Sequence, residues 1–80
     1  MEDKLNRDEF SVVEFYVNGT HRYVERWLPA KEAVELAKRC TDAAELAGSL
    51  VTRVIITDGG DFTVFQWEQG RGVTFPERKA

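Results

Sequence analysis

Leu50-Val-Thr-Arg-Val-Ile-Ile-Thr57, Asp58-Gly59-Gly60-Asp61 and Phe62-Thr-Val-Phe-Gln-Trp67 constrain this chain more than any other stretch. Runs rich in β-branched and aromatic residues fit a pleated, half-buried surface, and a Gly-rich tetrapeptide between two of them reads as a hairpin turn. Centring the turn on Gly59-Gly60 pairs Ile56 with Thr63, Val54 with Phe65 and Thr52 with Trp67 on one face. The other face then carries Thr57 with Phe62, Ile55 with Val64 and Arg53 with Gln66. Both faces of this hairpin are therefore apolar.

A second hairpin lies upstream. Phe10–Val17 and Thr20–Leu28 flank Asn18-Gly19, a pair that tolerates positive φ at both turn centres. Two registers are open. A two-residue turn pairs Val17 with Thr20 and places Phe10, Val12, Tyr16, His21, Tyr23 and Trp27 on one face together with Glu14 and Glu25. A three-residue bulged loop groups Val13, Phe15 and Val17 with Tyr23 and Trp27, and leaves Glu14 near Arg22 on the opposite face. The turn residues favour the first register and the separation of charge favours the second.

Between the hairpins the pattern changes period. Pro29 suits the first position of a helix, where its missing N–H costs nothing. Ala33, Leu36, Ala37 and Cys40 then fall at i, i+3, i+4 and i+7 with Val34 beside them, while Lys31, Glu32, Glu35, Lys38 and Arg39 lie elsewhere. The spacing predicts a helix over Lys31–Cys40 with one narrow, small-sided buried face. Thr41-Asp42 competes with helical hydrogen bonding, which predicts a break or kink there before a short segment Ala43–Ala47 that Gly48 ends. A continuous helix from Ala30 to Ala47 is the competing reading.

These elements predict an α+β fold in ββαββ order, with a four-stranded mixed sheet and the helix on one face. The second and third strands run parallel in direction, and the strand order is either 2-1-4-3, as in β-grasp folds, or one with those two strands adjacent. Val73–Phe75 can add a short fifth edge strand, which Pro76 would end. Residues 1–9 read as a polar tail, 10–76 as a single domain and 77–80 as a charged tail.

A chain of 80 residues buries only about 60–65% of the surface that it exposes when unfolded, so the core must be thin. Its formal charge of −3 is spread evenly, with 7 basic and 8 acidic side chains in residues 1–40 and 4 and 6 in residues 41–80. Without a basic cluster, binding to duplex nucleic acid is not expected, although Arg22, Arg26, Arg53 and Arg71 would have to be brought together by the fold to change that. The lone Cys40 and the lack of a basic-then-apolar leader point to a reducing, cytoplasmic setting. No apolar run approaches the roughly 20 residues of a membrane-spanning helix, so no membrane role is expected.

Counting faces gives the main functional expectation. One helix covers one side of a sheet, yet Ile55, Phe62 and Val64 of the second hairpin point to the other, where exposure forgoes roughly 1.5–3 kcal/mol each. An apolar patch of that kind marks an interaction site. The expected interaction face is Arg53, Ile55, Phe62, Val64 and Gln66, and the expected partner is a second copy or another protein. The alternative is a small-ligand or divalent-metal site in the helix–sheet space or at the Asp58–Asp61 turn.

Candidate chemistry is sparse. Asp58 and Asp61 could approach one cation, but they lack the alternating ligands and distal Glu of a calcium loop, and turn chemistry accounts for all four residues. His21 and Cys40 would have to meet from a strand and a helix to form a nucleophile pair, and they are too few for zinc. Gly70-Arg71-Gly72 opens no helix, so it lacks the dipole of a phosphate loop. Glu14 and Glu25 on an open strand surface have nothing to shift their pKa values. Tyr16, Tyr23, Phe62, Phe65 and Trp67 could stack single-stranded bases, but basic residues are not interleaved with them in sequence. A non-catalytic role without a cofactor is expected.

Arg53-Val-Ile-Ile-Thr-Asp-Gly-Gly-Asp61, followed by the Trp67 strand, resembles a small group of uncharacterised bacterial proteins with the ββαββ layout. The resemblance covers residues 50–76. It implies the fold, and no activity or site residues.

Overall fold

The computed structural model describes residues 8–76. The tails expected at residues 1–9 and 77–80 lie outside the described residues, apart from Asp8 and Glu9. The elements run β1 (Phe10–Tyr16), β2 (His21–Leu28), α1 (Ala30–Ala44), β3 (Val51–Thr57), β4 (Thr63–Glu68) and β5 (Gly72–Phe75). The α+β class and the ββαββ core are as expected. The sheet differs: it has five strands in the order β2-β1-β3-β4-β5, and every neighbouring pair is antiparallel. The second and third strands do share a direction, but β3 pairs with β1 instead of β2. This places the two most apolar strands, with Val12 and Val13 on one and Val54, Ile55 and Ile56 on the other, in the centre of the sheet. Such runs suit strands covered on both faces.

The first hairpin adopts the three-residue bulged register. The Tyr16 N–H donates to the Thr20 carbonyl at 2.9 Å, the Gly19 N–H donates to the Tyr16 carbonyl at 3.0 Å, and Gly19 has φ +88°. A type I turn closed by a residue in the left-handed region is the usual three-residue hairpin loop. Phe15 therefore lies opposite His21, Glu14 opposite Arg22 and Val13 opposite Tyr23.

The second hairpin uses the same device, which corrects the two-residue turn. The Asp58 N–H donates to the Phe62 carbonyl at 2.9 Å, the Asp61 N–H donates to the Asp58 carbonyl at 3.0 Å, and Asp61 takes φ +65°. A register irregularity at Val64 adds a second residue, so that Thr57 faces Thr63, Ile56 faces Phe65, Ile55 faces Gln66, Val54 faces Trp67 and Arg53 faces Glu68. A slip of two residues preserves the alternation. Val54, Ile56, Phe65 and Trp67 still share a face, and it is the face that α1 covers.

The helix is continuous through Thr41, which removes the expected break. The Thr41 hydroxyl donates back to the Lys38 carbonyl at 2.9 Å, a bond that leaves the helical turn intact. Pro29 stands one residue earlier than expected, as the N-cap with extended backbone, and its carbonyl accepts the first helical bond from the Ala33 N–H at 3.0 Å. At the other end, the Gln69 amide donates to the Ala44 carbonyl at 2.9 Å and satisfies one of the orphan acceptors of the last turn. Ala33, Ala37, Cys40 and Ala44 form the buried stripe and pack on Val12, Val54, Ile56 and Trp67. Small side chains let the helix lie close to the sheet. It lies mainly over β3, β1 and β2 and reaches β4 through Trp67, so most of the β4–β5 side is left uncovered. Among the described residues no helix is long and apolar enough to cross a membrane.

Candidate functional site

Because the helix leans over three strands of five, the β4–β5 side of its sheet face is left open. A groove of about 450 Å³ lies there. Ala33, Val34, Ala37, Lys38 and Thr41 of α1 form one wall, and Phe10, Ile56, Val64, Phe65, Trp67 and Val73 form the floor and the opposite wall. The lining is apolar apart from Lys38 and the hydroxyl of Thr41. Val34 sits beside the Ala33/Ala37 stripe in sequence and is exposed on the structure. That offset was the available signal for a wall outside the packed stripe. The sequence gives no sign of how far the helix is displaced from β4.

Of the residues expected on the far face, Arg53, Ile55 and Gln66 are there, with Ile55 and Gln66 directly opposed. Ile55 is only 9% exposed, so it is not a free apolar anchor. Val64 is on the other side of the sheet: the irregularity that carries it turns it into the groove. Phe62 stands at the hairpin tip, 70% exposed, with its ring against Gly60.

The far face holds a different cluster instead. The Arg53 guanidinium lies 4.1 Å from the Phe15 ring centre, Phe15 and His21 are 5.5 Å apart, and His21 and Tyr23 are 6.1 Å apart. Arg26 continues the row, 4.5 Å from the Tyr23 ring and 5.6 Å from that of Trp27. Trp27 is 65% exposed and has φ +63°, uncommon for a bulky residue. The register shifts between β1 and β2 between Phe10 and Val13, which places Arg26 beside Tyr23 in a way that strict alternation would not. The three-residue register groups Phe15 with Tyr23 and Trp27 from sequence, so those rings were legible, whereas the placement of Arg26 and Arg53 over them was not.

The remaining candidates are separated or occupied. His21 is in the far-face row, whereas Cys40 is buried in the helix–sheet core, so the sheet divides them. Burial, reinforced by the Glu14 carboxylate, pushes the Cys40 thiol up to about 11. A thiol held protonated is a poor nucleophile. Glu14 accepts from the Tyr16 hydroxyl at 2.9 Å and from Arg22 at 3.3 Å, and Glu25 borders a separate cleft with Glu32 and Glu35. Asp58 Oδ1 accepts from the Gly60 and Phe62 N–H groups at 2.9 and 3.0 Å, while Asp61 is exposed at the turn. Among the described residues no three His, Cys, Asp or Glu side chains come together as a metal site. Gly70 and Gly72 take positive φ in the β4–β5 turn, and Arg71 pairs with Glu68 at 3.4 Å.

Comparisons with protein-family models, with curated proteins and with solved structures each returned no match.

Proposed function

We propose that this protein is a non-catalytic binding module that pairs with a second copy of itself through β5, bringing two half-open apolar grooves together. One observation carries this reading: the groove and an uncharged strand edge occur at the same place. β5 is an outer strand of the sheet, Val73 on it lines the groove, and Gly72-Val73-Thr74-Phe75 carries no charge. The opposite edge is guarded. β2 carries Arg22, Glu25 and Arg26, has register shifts against β1 and places Trp27 in the left-handed region. Charges are a main device that keeps an edge strand from pairing, and β5 carries none; its guards are its four-residue length, a register irregularity at Thr74 and the Pro76 that follows it. Antiparallel pairing of a strand with its own copy is two-fold by construction, so the edge is its own complement. Self-association was expected from the sequence on the far face; the groove and the open edge favour the β5 side.

The test is mass in solution by sedimentation velocity over a range of protein concentrations. The wild type is expected to dimerise and Val73→Lys to remain a monomer at the same concentrations. A wild type that stays monomeric at high micromolar concentration refutes the reading. A dimer lost in Arg53→Glu but kept in Val73→Lys moves the interface to the far face and refutes it equally.

A second reading rests on Lys38, the one charged residue among the described residues that line the groove. Apolar walls with a single ammonium suit an amphiphile with an anionic head, and the volume lies within the usual range of small-molecule sites. A thermal-shift titration with medium-chain fatty carboxylates tests it. The melting temperature should rise for wild type, rise less for Lys38→Gln, and stay unchanged for the corresponding alcohols.

A further inference from the structure

We infer that the sheet face opposite α1 is a binding surface for single-stranded nucleic acid, formed by Phe15, His21, Tyr23, Arg26, Trp27 and Arg53. Sequence order hides this surface, because its cations and rings come from three strands. The fold interleaves them: guanidinium, ring, ring, ring, guanidinium, ring, with each neighbour between 4.1 and 6.1 Å. Single strands are bound by flat groups on which bases stack and by cations that meet the phosphates, and both aromatic rings and guanidinium planes serve for stacking. Trp27, 65% exposed at the end of the row with Arg26 over its ring, offers an exposed aromatic surface. Arg26 and Arg53 stand at separate places in the row, so that a strand lying along it meets a cation twice.

Charge complementarity selects this occupant although the whole chain is acidic. Carboxylates gather on the helix side: Glu14 faces Cys40 and Arg22, and Glu25, Glu32 and Glu35 border one cleft beside α1. On the far face, Glu68 lies opposite Arg53, but its carboxylate already accepts from the Gln66 amide at 2.6 Å and pairs with Arg71 at 3.4 Å. The row itself contains no acid. An apolar protein partner would gain little from two guanidinium groups laid over rings, whereas a polyanion with stacking bases uses both. The surface does not depend on β5 or on the groove, so it stands or falls separately from self-association.

The experiment is fluorescence anisotropy of end-labelled oligothymidylate and oligouridylate, with a duplex of equal length as the control, in the intact chain. Both single strands are expected to bind more tightly than the duplex, and a difference between them tells DNA from RNA preference. With about two phosphates neutralised, affinity should fall about sevenfold between about 50 and about 200 mM salt. Arg53→Gln should reduce that fall to between two- and threefold, since one contact is lost. Trp27→Ala should weaken binding at least about fivefold, the lower end for one stacked base, with the circular dichroism spectrum unchanged. No binding at low salt overturns the inference. So does equal binding of duplex, or competition by poly-glutamate as effective as that of the oligonucleotide, or wild-type affinity in both variants.

Discussion

Replacing Ile55 and Val64 in turn by Glu distinguishes the observed register from the simpler one, in which the two side chains are neighbours on one open face. Ile55 is 9% exposed in a central strand, flanked by Val13 on β1 and Gln66 on β4. Ile55→Glu forfeits about 1.5–3 kcal/mol of apolar burial. It also strands a carboxylate whose pKa must rise by roughly two or three units, which costs about 3–4 kcal/mol at neutral pH. The total of about 5–7 kcal/mol is comparable to the whole stability of a chain of this length, about 4–12 kcal/mol. Val64 is 38% exposed on the groove wall, so Val64→Glu loses only part of a valine's burial and its carboxylate reaches water, for about 1 kcal/mol.

Urea unfolding followed by circular dichroism reads both values. Ile55→Glu should be largely unfolded without denaturant at pH 7, and Val64→Glu should unfold at a midpoint close to that of wild type. The sign of the pH dependence is fixed as well. The new carboxyl in Ile55→Glu has a folded pKa above its unfolded value, so its penalty is full above the folded pKa and is relieved as the pH falls through it. Equal losses in the two variants, or a loss below about 1 kcal/mol for Ile55→Glu, would refute the register and the burial together.

Three further outcomes follow from single contacts. Cys40, with its thiol pushed up to about 11, should react with iodoacetamide at pH 8 about a hundredfold more slowly than a free cysteine, and normally in urea; mass spectrometry of the labelled chain measures the rate. Gly19→Ala should cost about 1–2 kcal/mol in a thermal melt purely through backbone strain, because φ is +88° and an added Cβ meets nothing within 4 Å. Asp58→Ala removes an acceptor shared by two N–H groups and should cost about 1–2 kcal/mol by the same measurement, with Asp58→Asn recovering part of it.

What was legible in the sequence was what depends on neighbours in the chain. Asn18-Gly19 and Asp58–Asp61 marked both hairpins, and the Ala33/Ala37/Cys40 spacing marked the buried side of the helix. The turn types were harder to read, because Asn-Gly and Gly-Gly suit two-residue turns while a side-chain acceptor favours a wider loop. Asn18 Oδ1 accepts from the Thr20 N–H at 3.0 Å, as Asp58 accepts from Gly60 and Phe62. Thr41 was read as a helix breaker because its hydroxyl competes for backbone groups. In the folded chain the same hydroxyl bonds within the helix, and tertiary packing of the buried Thr41 keeps the turn helical. The strand order could not be read at all. The hairpins fit both the 2-1-4-3 order and one with β2 beside β3, and the fold adopts neither: β3 lies beside β1, which keeps the charged β2 at the edge.

That undecided choice governs where binding can occur. Pairing β3 with β1 centres the short helix over β2, β1 and β3, and a narrow stripe of Ala33, Ala37, Cys40 and Ala44 meets β4 at Trp67 but leaves the rest of that side open. Val64, displaced by the register irregularity, and Val73, added by β5, then become the wall of a groove on the helix side. The uncovered far face meets the problem of its apolar strands by another route. Val13 and Ile55 are buried there, while Arg53 and Arg26 lie over the rings of Phe15 and Tyr23, which puts positive charge on the face that the sequence marked as apolar. A thin domain with one helix thus presents two unlike surfaces. An apolar groove beside an open edge suits a like partner, and a row of rings and guanidinium groups suits a stacked polyanion. A single substitution on either surface should leave the other's binding unchanged, because the paired central strands β1 and β3 stand between them.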